Sequence, residues 1–212
     1  TGKLFLNNGA DGAPGYNSKF SHQNETAKPG FYQVKLEDYN INVELTTSQR
    51  VGFHKYTFPK NKAAQVLLDL EHRDKLLDYK IELIDSNSLQ GIRYSENWAQ
   101  KQKVHFYIKF SKPFKRIIFN DQQSIAGIKF GNLDSPLLIK VGISAVNTDG
   151  AKANLKAEIP HWNFEKTKAE NNILWQKELK KIEIEGASKE QKEIFYTALY
   201  HSLLNPNLYN DI

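Results

Sequence analysis

The feature that most constrains the fold of this sequence is an alternation of apolar and polar residues that recurs from residue 32 to residue 145. It is clearest at residues 103–110, where four apolar residues share one face: Val104, Phe106, Ile108 and Phe110. A period of two residues is typical of a half-buried β-strand. Comparable runs lie at residues 32–36, 41–45, 51–58, 64–70, 79–84, 91–98, 115–120, 126–130 and 137–145. The pattern therefore predicts about ten strands.

The connections between these runs predict how the strands are arranged. They are short and polar, and no helical pattern separates one run from the next. The sheets must then be largely antiparallel, because parallel strands need long crossovers. So many strands bury their apolar faces best as two packed sheets. We therefore predict a mainly β fold, an antiparallel β-sandwich.

The composition changes after Gly150, and the last part of the chain is predicted to be helical. Residues 164–182 are rich in Lys, Glu, Ala and Gln, which indicates a helix outside the sandwich. Ser188 and Gln191 form a capping-box pattern that opens a second helix ending near Leu204. Its apolar stripe has no partner within the sequence: Ile194, Phe195, Ala198, Leu199 and Leu203.

These patterns divide the chain into three parts. We expect residues 1–160 to form a β-sandwich domain that lacks its own first strands, residues 161–187 a linker helix, and residues 188–212 the start of a helical domain. A possible strand at residues 1–6 is followed by a long loop at 7–19 rich in Gly, Pro and Asn. Because the sequence contains no Met and opens at Thr1, we expect a segment of a longer protein.

Composition excludes several classes of function. The net charge of +5 comes from Lys scattered among Asp and Glu, which favours a solvated surface over nucleic-acid binding. No apolar run approaches the roughly 20 residues of a membrane span. The absence of Cys excludes disulfides, thiolate metal sites and a cysteine nucleophile. The six His residues show no metal-binding spacing, so no metal site is predicted in this segment.

A loop at residues 21–25 carries more hydrogen-bonding side chains than a turn requires. Ser21, His22, Asn24 and Glu25 stand just before the turn signal formed by Pro29 and Gly30. We take Ser21, His22 and Glu25 as candidates for a substrate pocket or a domain interface. The alternative is that these side chains only pin the loop.

Motifs in this region and at the far end of the chain resemble glycoside hydrolase family 92. The first set is Phe20, Ser21, His22, Glu25, Ala27, Pro29, Gly30, Phe31, Tyr32, Glu44, Leu45, Thr46, Arg50, Val51 and Gly52. The last set is Phe195, Tyr196, Thr197, Ala198, Leu199, Tyr200, His201, Ser202, Pro206 and Asp211. A weaker set lies between them: Lys140, Val141, Gly142, Ile143, Ser144, Trp162, Phe164, Glu165 and Trp175. One departure is Phe31, where the family pattern has Tyr.

The resemblance implies a function and a domain plan. Family 92 enzymes are calcium-dependent, exo-acting, inverting α-mannosidases, in which a supersandwich-like β domain packs on an (α/α)6 catalytic barrel. It implies that the catalytic acid and base and the calcium ligands lie downstream of Ile212, with none in this segment. His201 and Asp211 join the candidates for the pocket or interface.

The resemblance also implies partners and a location. The substrate is expected to be a mannose-containing glycan of the N-glycan or mannan type, with an α-1,2 linkage preferred. The other partner is the protein's own downstream catalytic domain, and the location is periplasmic or secreted. We expect this segment alone to be inactive.

Two other functions remain open from the residues themselves. A free-standing carbohydrate-binding sandwich would display an aromatic side chain such as Trp98 as a sugar platform, although packing of Trp98 in the core or in a turn is the simpler interpretation. A structural or adhesive sandwich is the third. The terminal helix favours the enzyme, because a self-sufficient module has no reason to end on half of a helical motif. Glu44 matches the family motif but is best explained by a charge partner across the sheet.

Overall fold

The computed structural model describes residues 15–205 and 208–212, so the strand predicted at residues 1–6 lies outside the described residues. The described strands are β1 (Glu25–Lys28), β2 (Phe31–Leu36), β3 (Ile41–Thr47), β4 (Val51–Thr57), β5 (Ala63–Asp69), β6 (Lys75–Asp85), β7 (Ser88–Glu96), β8 (Gln102–Phe110), β9 (Arg116–Phe119), β10 (Ile125–Asn132) and β11 (Leu137–Ser144). The helices are α1 (Thr148–Glu158), α2 (Phe164–Leu179) and α3 (Lys189–Ser202).

The described strands form two sheets. The large sheet has the order β1-β2-β3-β4-β11-β8-β7-β6, and the small sheet has the order β5-β10-β9. Every strand pair is antiparallel. The core between the sheets is built from both, with Leu89, Phe106 and Phe110 of the large sheet against Ile128 and Phe130 of the small sheet. The predicted antiparallel sandwich is confirmed.

Helices cover the other face of the large sheet. Helix α1 packs on β8 and β11, and α2 packs on β3 and β4. A second core lies under them and includes Phe53, Leu155 and Phe164. Helix α1 approaches the sheet closely at Gly142, where a Cβ atom would lie 2.3 Å from the carbonyl oxygen of Ala151. The molecule therefore has three layers: the small sheet, the large sheet and a helical layer.

The sequence prediction missed helix α1. The sequence indicates only a change of composition at Asn147, Thr148, Asp149 and Gly150, residue types that also favour turns. Instead Asn147 is the N-cap of α1, and its side-chain oxygen accepts a hydrogen bond from the Gly150 amide at 2.7 Å. The same residue types serve both roles.

The other predicted helices are present, with one difference in packing. Helix α3 begins with the predicted capping box of Ser188 and Gln191. No residue of α3 is buried, and its ring contact to α2 joins Tyr200 to Trp175 with centroids 4.7 Å apart. Helix α2, predicted to lie outside the sandwich, packs on β3 and β4 of the large sheet. Its buried residues are Phe164, Thr167 and Asn171.

Three details of the strand predictions change. Strand β1 was predicted as loop, β6 extends beyond its predicted limits at both ends, and β7 begins three residues and ends two residues earlier than predicted. The interpretation of Trp98 as a packed residue is wrong, because 98% of its surface is exposed at the tip of the β7–β8 hairpin. The cross-strand partner expected for Glu44 is confirmed, since Lys55 lies opposite it and forms an ion pair at 2.9 Å.

Candidate functional site

The loop that carries Ser21, His22 and Glu25 leads into the edge of the large sheet. A 3-10 turn at His22–Asn24 precedes β1, and Ser21 is its N-cap. The Ser21 hydroxyl accepts a hydrogen bond from the Gln23 amide at 3.2 Å, and the Ser21 carbonyl accepts one from the Asn24 amide at 2.9 Å. Ser21 therefore shapes the turn that presents the next side chains.

Glu25 is held between two side chains. The Tyr32 hydroxyl donates to one carboxylate oxygen at 2.6 Å, and His22 Nδ1 lies 2.6 Å from the other. The hydrogen bond from Tyr32, then the one from His22, lowers the pKa of Glu25. The hydrogen bond to Glu25 in turn raises the pKa of the Tyr32 hydroxyl to about 12. Glu25 is therefore ionised at neutral pH and serves as an acceptor and not as a proton donor.

The geometry leaves His22 available to a ligand. Its side chain is 89% exposed, and Glu25 fixes the ring through Nδ1. When one ring nitrogen of a histidine is bound, the tautomer and direction of the other are set. Nε2 of His22 therefore points away from Glu25, where it can hydrogen-bond a hydroxyl group. Sequence reasoning identified His22 and Glu25 but did not assign Tyr32 as their partner, since the contact crosses between β1 and β2.

Asp211 lies elsewhere, against the end of β11 and the start of α1. Its carboxylate accepts hydrogen bonds from the Ser144 hydroxyl and the Asn154 amide, each at 2.8 Å. Asn154 is fully buried and also accepts from the Ile212 amide at 3.1 Å. A Cβ atom at Gly150 would lie 2.1 Å from Asp211 Oδ2, so the carboxylate occupies the space that this glycine leaves. We call Ser144, Asn154 and Asp211 the Asp211 clamp.

Arg50 ties the same segment to the sheet. Its guanidinium forms an ion pair with Glu158 at 2.8 Å, and its Nε donates to the Asn210 carbonyl at 2.6 Å. Glu158 also accepts from the Arg50 amide at 2.9 Å and the Ser48 hydroxyl at 2.5 Å. The two charged side chains are only 11% and 10% exposed. Arg50 thus contacts both α1 and the segment that follows α3.

A turn joins α2 to the sheet in a similar way. Gly30 adopts a positive φ of 78°, which disfavours side chains, in the turn between β1 and β2. A Cβ atom there would lie 2.8 Å from Asn171, whose amide donates to the Gly30 carbonyl at 3.1 Å. The buried Thr46 hydroxyl donates to the same carbonyl at 2.8 Å. Gly30, Thr46 and Arg50, which carry the family resemblance, thus hold the helices on the sandwich.

The structure brings only some of the candidates together. Ser21, His22 and Glu25 form one cluster where the chain enters β1, called here the cluster on β1, whereas the Asp211 clamp includes Ser144 of β11. Four strand steps separate β1 from β11, which is about 19 Å at ~4.8 Å per step. His201 is exposed in the last turn of α3. Among the described residues, no hydrogen bond joins the cluster on β1 to His201 or Asp211.

A groove of about 520 Å³ lies beside the Asp211 clamp. The base of the β7–β8 hairpin forms one side, and the segment from Leu208 to Asp211 forms the other. Arg50 and Gln49 line it as well. Neither the groove nor the rest of residues 15–205 and 208–212 contains a group of three or more His, Asp or Glu side chains arranged to hold a metal ion. None of the helices described is long and apolar enough to cross a membrane.

Comparison with known proteins identifies the class of protein to which this chain belongs. Residues 1–144 match the Glycosyl hydrolase family 92 N-terminal domain, and residues 150–212 match the Glycosyl hydrolase family 92 catalytic domain. The sandwich with its helical layer is thus part of a glycoside hydrolase. The chain belongs to glycosyl hydrolase family 92, and the resemblance seen in its motifs is confirmed.

Solved structures and a curated protein agree with this membership. The family GH92 α-mannosidase from Bacteroides thetaiotaomicron is 29% identical with a TM-score of 0.90, covering 100% of this chain and 32% of that one. That enzyme has also been solved in complex with mannoimidazole. A GH92 inverting mannosidase from the same organism shares the fold at 23% identity and a TM-score of 0.78, covering 90% of this chain and 27% of that one.

An uncharacterized secreted glycosidase of Arthroderma benhamiae is 23% identical over 86% of this chain and 29% of its own length. This chain therefore spans about a third or less of the length of these relatives.

Proposed function

We propose that this chain is the sandwich and the first catalytic-domain helices of an inverting, exo-acting α-mannosidase that removes mannose from N-glycan or mannan-type glycans, with α-1,2 linkages preferred. The observation that carries the proposal is the ordered match of both family 92 domains, together with the likeness over the whole chain to an α-mannosidase. A protein named as an inverting mannosidase with the same fold supports the stereochemistry proposed.

The catalytic acid, the base and the calcium ligands are proposed to lie outside this segment. The acidic and histidine side chains of the described residues do not come together in the number that a calcium site needs. No catalytic step is therefore assigned to calcium here, and calcium dependence is proposed of the full-length protein. A periplasmic or secreted location is proposed as well, since a relative is named a secreted glycosidase.

The exposed helical stripe supports the presence of a further domain as partner. Ile173 and Leu174 of α2 and Ile194 of α3 are each more than half exposed. Soluble proteins rarely expose several large apolar side chains on adjoining helices unless another surface covers them. The occupant proposed is the remainder of the protein's own catalytic domain, which is more consistent with an enzyme than with a free-standing binding module.

Activity assays test the proposal. The full-length protein should hydrolyse an α-1,2-linked mannobiose, and a calcium chelator should abolish this. If the enzyme inverts, proton NMR should show β-mannose as the first product, because a single displacement reverses the anomeric centre. A polypeptide of residues 1–212 should release no mannose. Failure of the full-length protein to cleave any α-mannoside in the presence of calcium would refute the proposed function.

The cluster on β1 is proposed to influence the sugar site. His22 presents a ring nitrogen that Glu25 orients, which suits recognition of a sugar hydroxyl. His22→Ala and Glu25→Gln in the full-length protein should each lower kcat/KM by about tenfold, the loss of one oriented hydrogen bond in the transition state. The melting temperature should change little, because His22 is 89% exposed and Glu25→Gln keeps an acceptor for the Tyr32 hydroxyl. Asn24→Ala in the same turn is the matched control. Normal kinetics with lost stability would show that the cluster only pins the loop.

A further inference from the structure

The β7–β8 hairpin carries an aromatic side chain that the fold does not use. The hairpin tip, residues 97–101, forms a tight turn in which the Asn97 amide donates to the Ala99 carbonyl at 3.2 Å. Trp98 stands at this tip with 98% of its surface exposed. An indole exposed to water loses the stabilisation that its burial supplies. Folding of the sandwich therefore does not explain why a tryptophan stands at this position.

The surroundings of Trp98 differ from those of the exposed helical stripe. The stripe on α2 and α3 consists of several aliphatic side chains on adjoining helices, as a surface covered by another domain does. Trp98 has only polar or small neighbours along the tip: Glu96, Asn97, Ala99, Gln100 and Lys101. An isolated aromatic ring among hydrogen-bonding side chains suits a ligand that has both apolar C–H faces and hydroxyl groups, which is the chemistry of a sugar.

The hairpin also forms one side of the groove of about 520 Å³. Ala99, the residue after Trp98, lines it, as do Lys101, Gln102 and Lys103. The opposite side is the segment from Leu208 to Asp211, which belongs to the catalytic-domain match. The hairpin belongs to the N-terminal-domain match. The groove thus lies between residues of the two family 92 domain matches, and its lining includes amide and ammonium side chains: Gln49, Lys101, Gln102 and Lys103.

Side-chain contacts hold both sides of the groove. Asp211 is held by Asn154 and Ser144, and Asn210 by Arg50, so the far side of the groove is anchored to the sheet. On the hairpin side, the Lys103 ammonium lies 5.2 Å from the centre of the Tyr94 ring. A groove built in advance lowers the ordering cost of binding a flexible glycan.

From this arrangement we propose that the hairpin tip and the groove form a glycan-binding subsite, in which Trp98 stacks on a sugar ring of a mannose-rich chain and the groove donors bind its hydroxyls. The subsite rests on the proposed α-mannosidase function and extends it by naming the residues that recognise a chain of sugars beyond a single mannose.

Kinetics of the full-length protein test the subsite. Two probes are compared: α-1,2-linked mannotriose, which offers a chain of sugars, and α-mannosyl fluoride, which offers one mannose. Trp98→Ala should lower the ratio of kcat/KM for mannotriose to kcat/KM for the fluoride by about fivefold, as expected for loss of one aromatic stacking contact. Trp98→Tyr should keep at least half of the ratio. Gln102→Ala in the groove should lower it as well.

Leu83→Ala is the matched control, because Leu83 is an exposed apolar residue of β6 and takes no part in the groove. It should leave the ratio unchanged. An unchanged ratio in Trp98→Ala would overturn the subsite. So would an equal loss with both probes accompanied by a lower melting temperature, which would show that Trp98 packs against the rest of the protein. Absence of wild-type activity on both probes would instead refute the proposed function, and the subsite with it.

Discussion

The ion pair between Arg50 and Glu158 allows a quantitative test of how the helices are held on the sandwich. Glu158 accepts hydrogen bonds from the Arg50 guanidinium, the Arg50 amide and the Ser48 hydroxyl, and the pair is about nine-tenths buried. Removing one partner of a buried pair leaves the other charge uncompensated and costs about 3–5 kcal/mol. Glu158→Gln retains an acceptor, so we expect the lower end, about 3 kcal/mol.

Thermal and urea unfolding of the full-length protein measures this loss. For a unit of this size, 3 kcal/mol corresponds to a drop in melting temperature of about 6–12 °C. Hydrogen exchange should place the loss in α1, whose last residue is Glu158. The matched control is Glu170→Gln, since Glu170 pairs with Lys166 at 3.8 Å and is more than half exposed. Its effect should stay within about 0.5 kcal/mol.

A double variant separates the charge from the packing. Arg50→Met combined with Glu158→Leu removes both charges together, and it should recover at least half of the stability lost in Glu158→Gln. If Glu158→Gln lowers the free energy of unfolding by less than about 1 kcal/mol, the pair contributes no more than an exposed ion pair does. The argument from burial would then be wrong.

Three further predictions concern the same junction. Gly142→Ala should lower the free energy of unfolding by about 1–3 kcal/mol, because the added methyl meets α1 at 2.3 Å; urea unfolding measures it, and an unchanged midpoint would contradict the close approach. Burial, and secondarily a neighbouring lysine, lower the pKa of Lys140 to about 8 from 10.5. The unfolded state then binds more protons between these pKa values, so stability should rise with pH from about 8 to 10.5, and Lys140→Met should remove that rise. Asn154→Ala should cost about 1.5–3 kcal/mol by removing a donor to the Asp211 carboxylate and should speed hydrogen exchange at the Ile212 amide; unchanged exchange there would count against the clamp.

Local pattern predicted most of the strands and the capping box, because these depend on residues near in sequence. Strand alternation at residues 103–110 corresponds to β8, and Ser188 caps α3 as expected. Helix α1 was missed because its N-cap sequence is also a turn sequence. The order of the large sheet was beyond reach, since the pairing of Val51 with Gly142 leaves no trace in either local pattern.

The candidate site also combines residues that the local sequence identified with partners that it did not. His22 and Glu25 were selected because their loop carries more hydrogen-bonding side chains than a turn requires, and the structure places them in contact. Asp211 was selected by resemblance, but its partners Ser144 and Asn154 are far away in sequence, and no local signal paired them with Asp211. The exposure of Trp98 could not be predicted either, because the local sequence around a tryptophan at a strand end does not show whether the side chain faces the core or water.

The position of β11 has a consequence for the time course of folding. The meander from β1 to β4 and the hairpins from β6 to β8 can each form from neighbouring residues, but the large sheet is continuous only when β11 inserts between β4 and β8. Pairings of such long separation form slowly, because a long loop must close first. During synthesis the sheet is therefore completed only after Ser144 has emerged. Helix α1 follows at once, and the residues that match the family's catalytic domain begin within it, at 150. The face of the large sheet on which α1 and α2 pack is therefore complete before these helices are made.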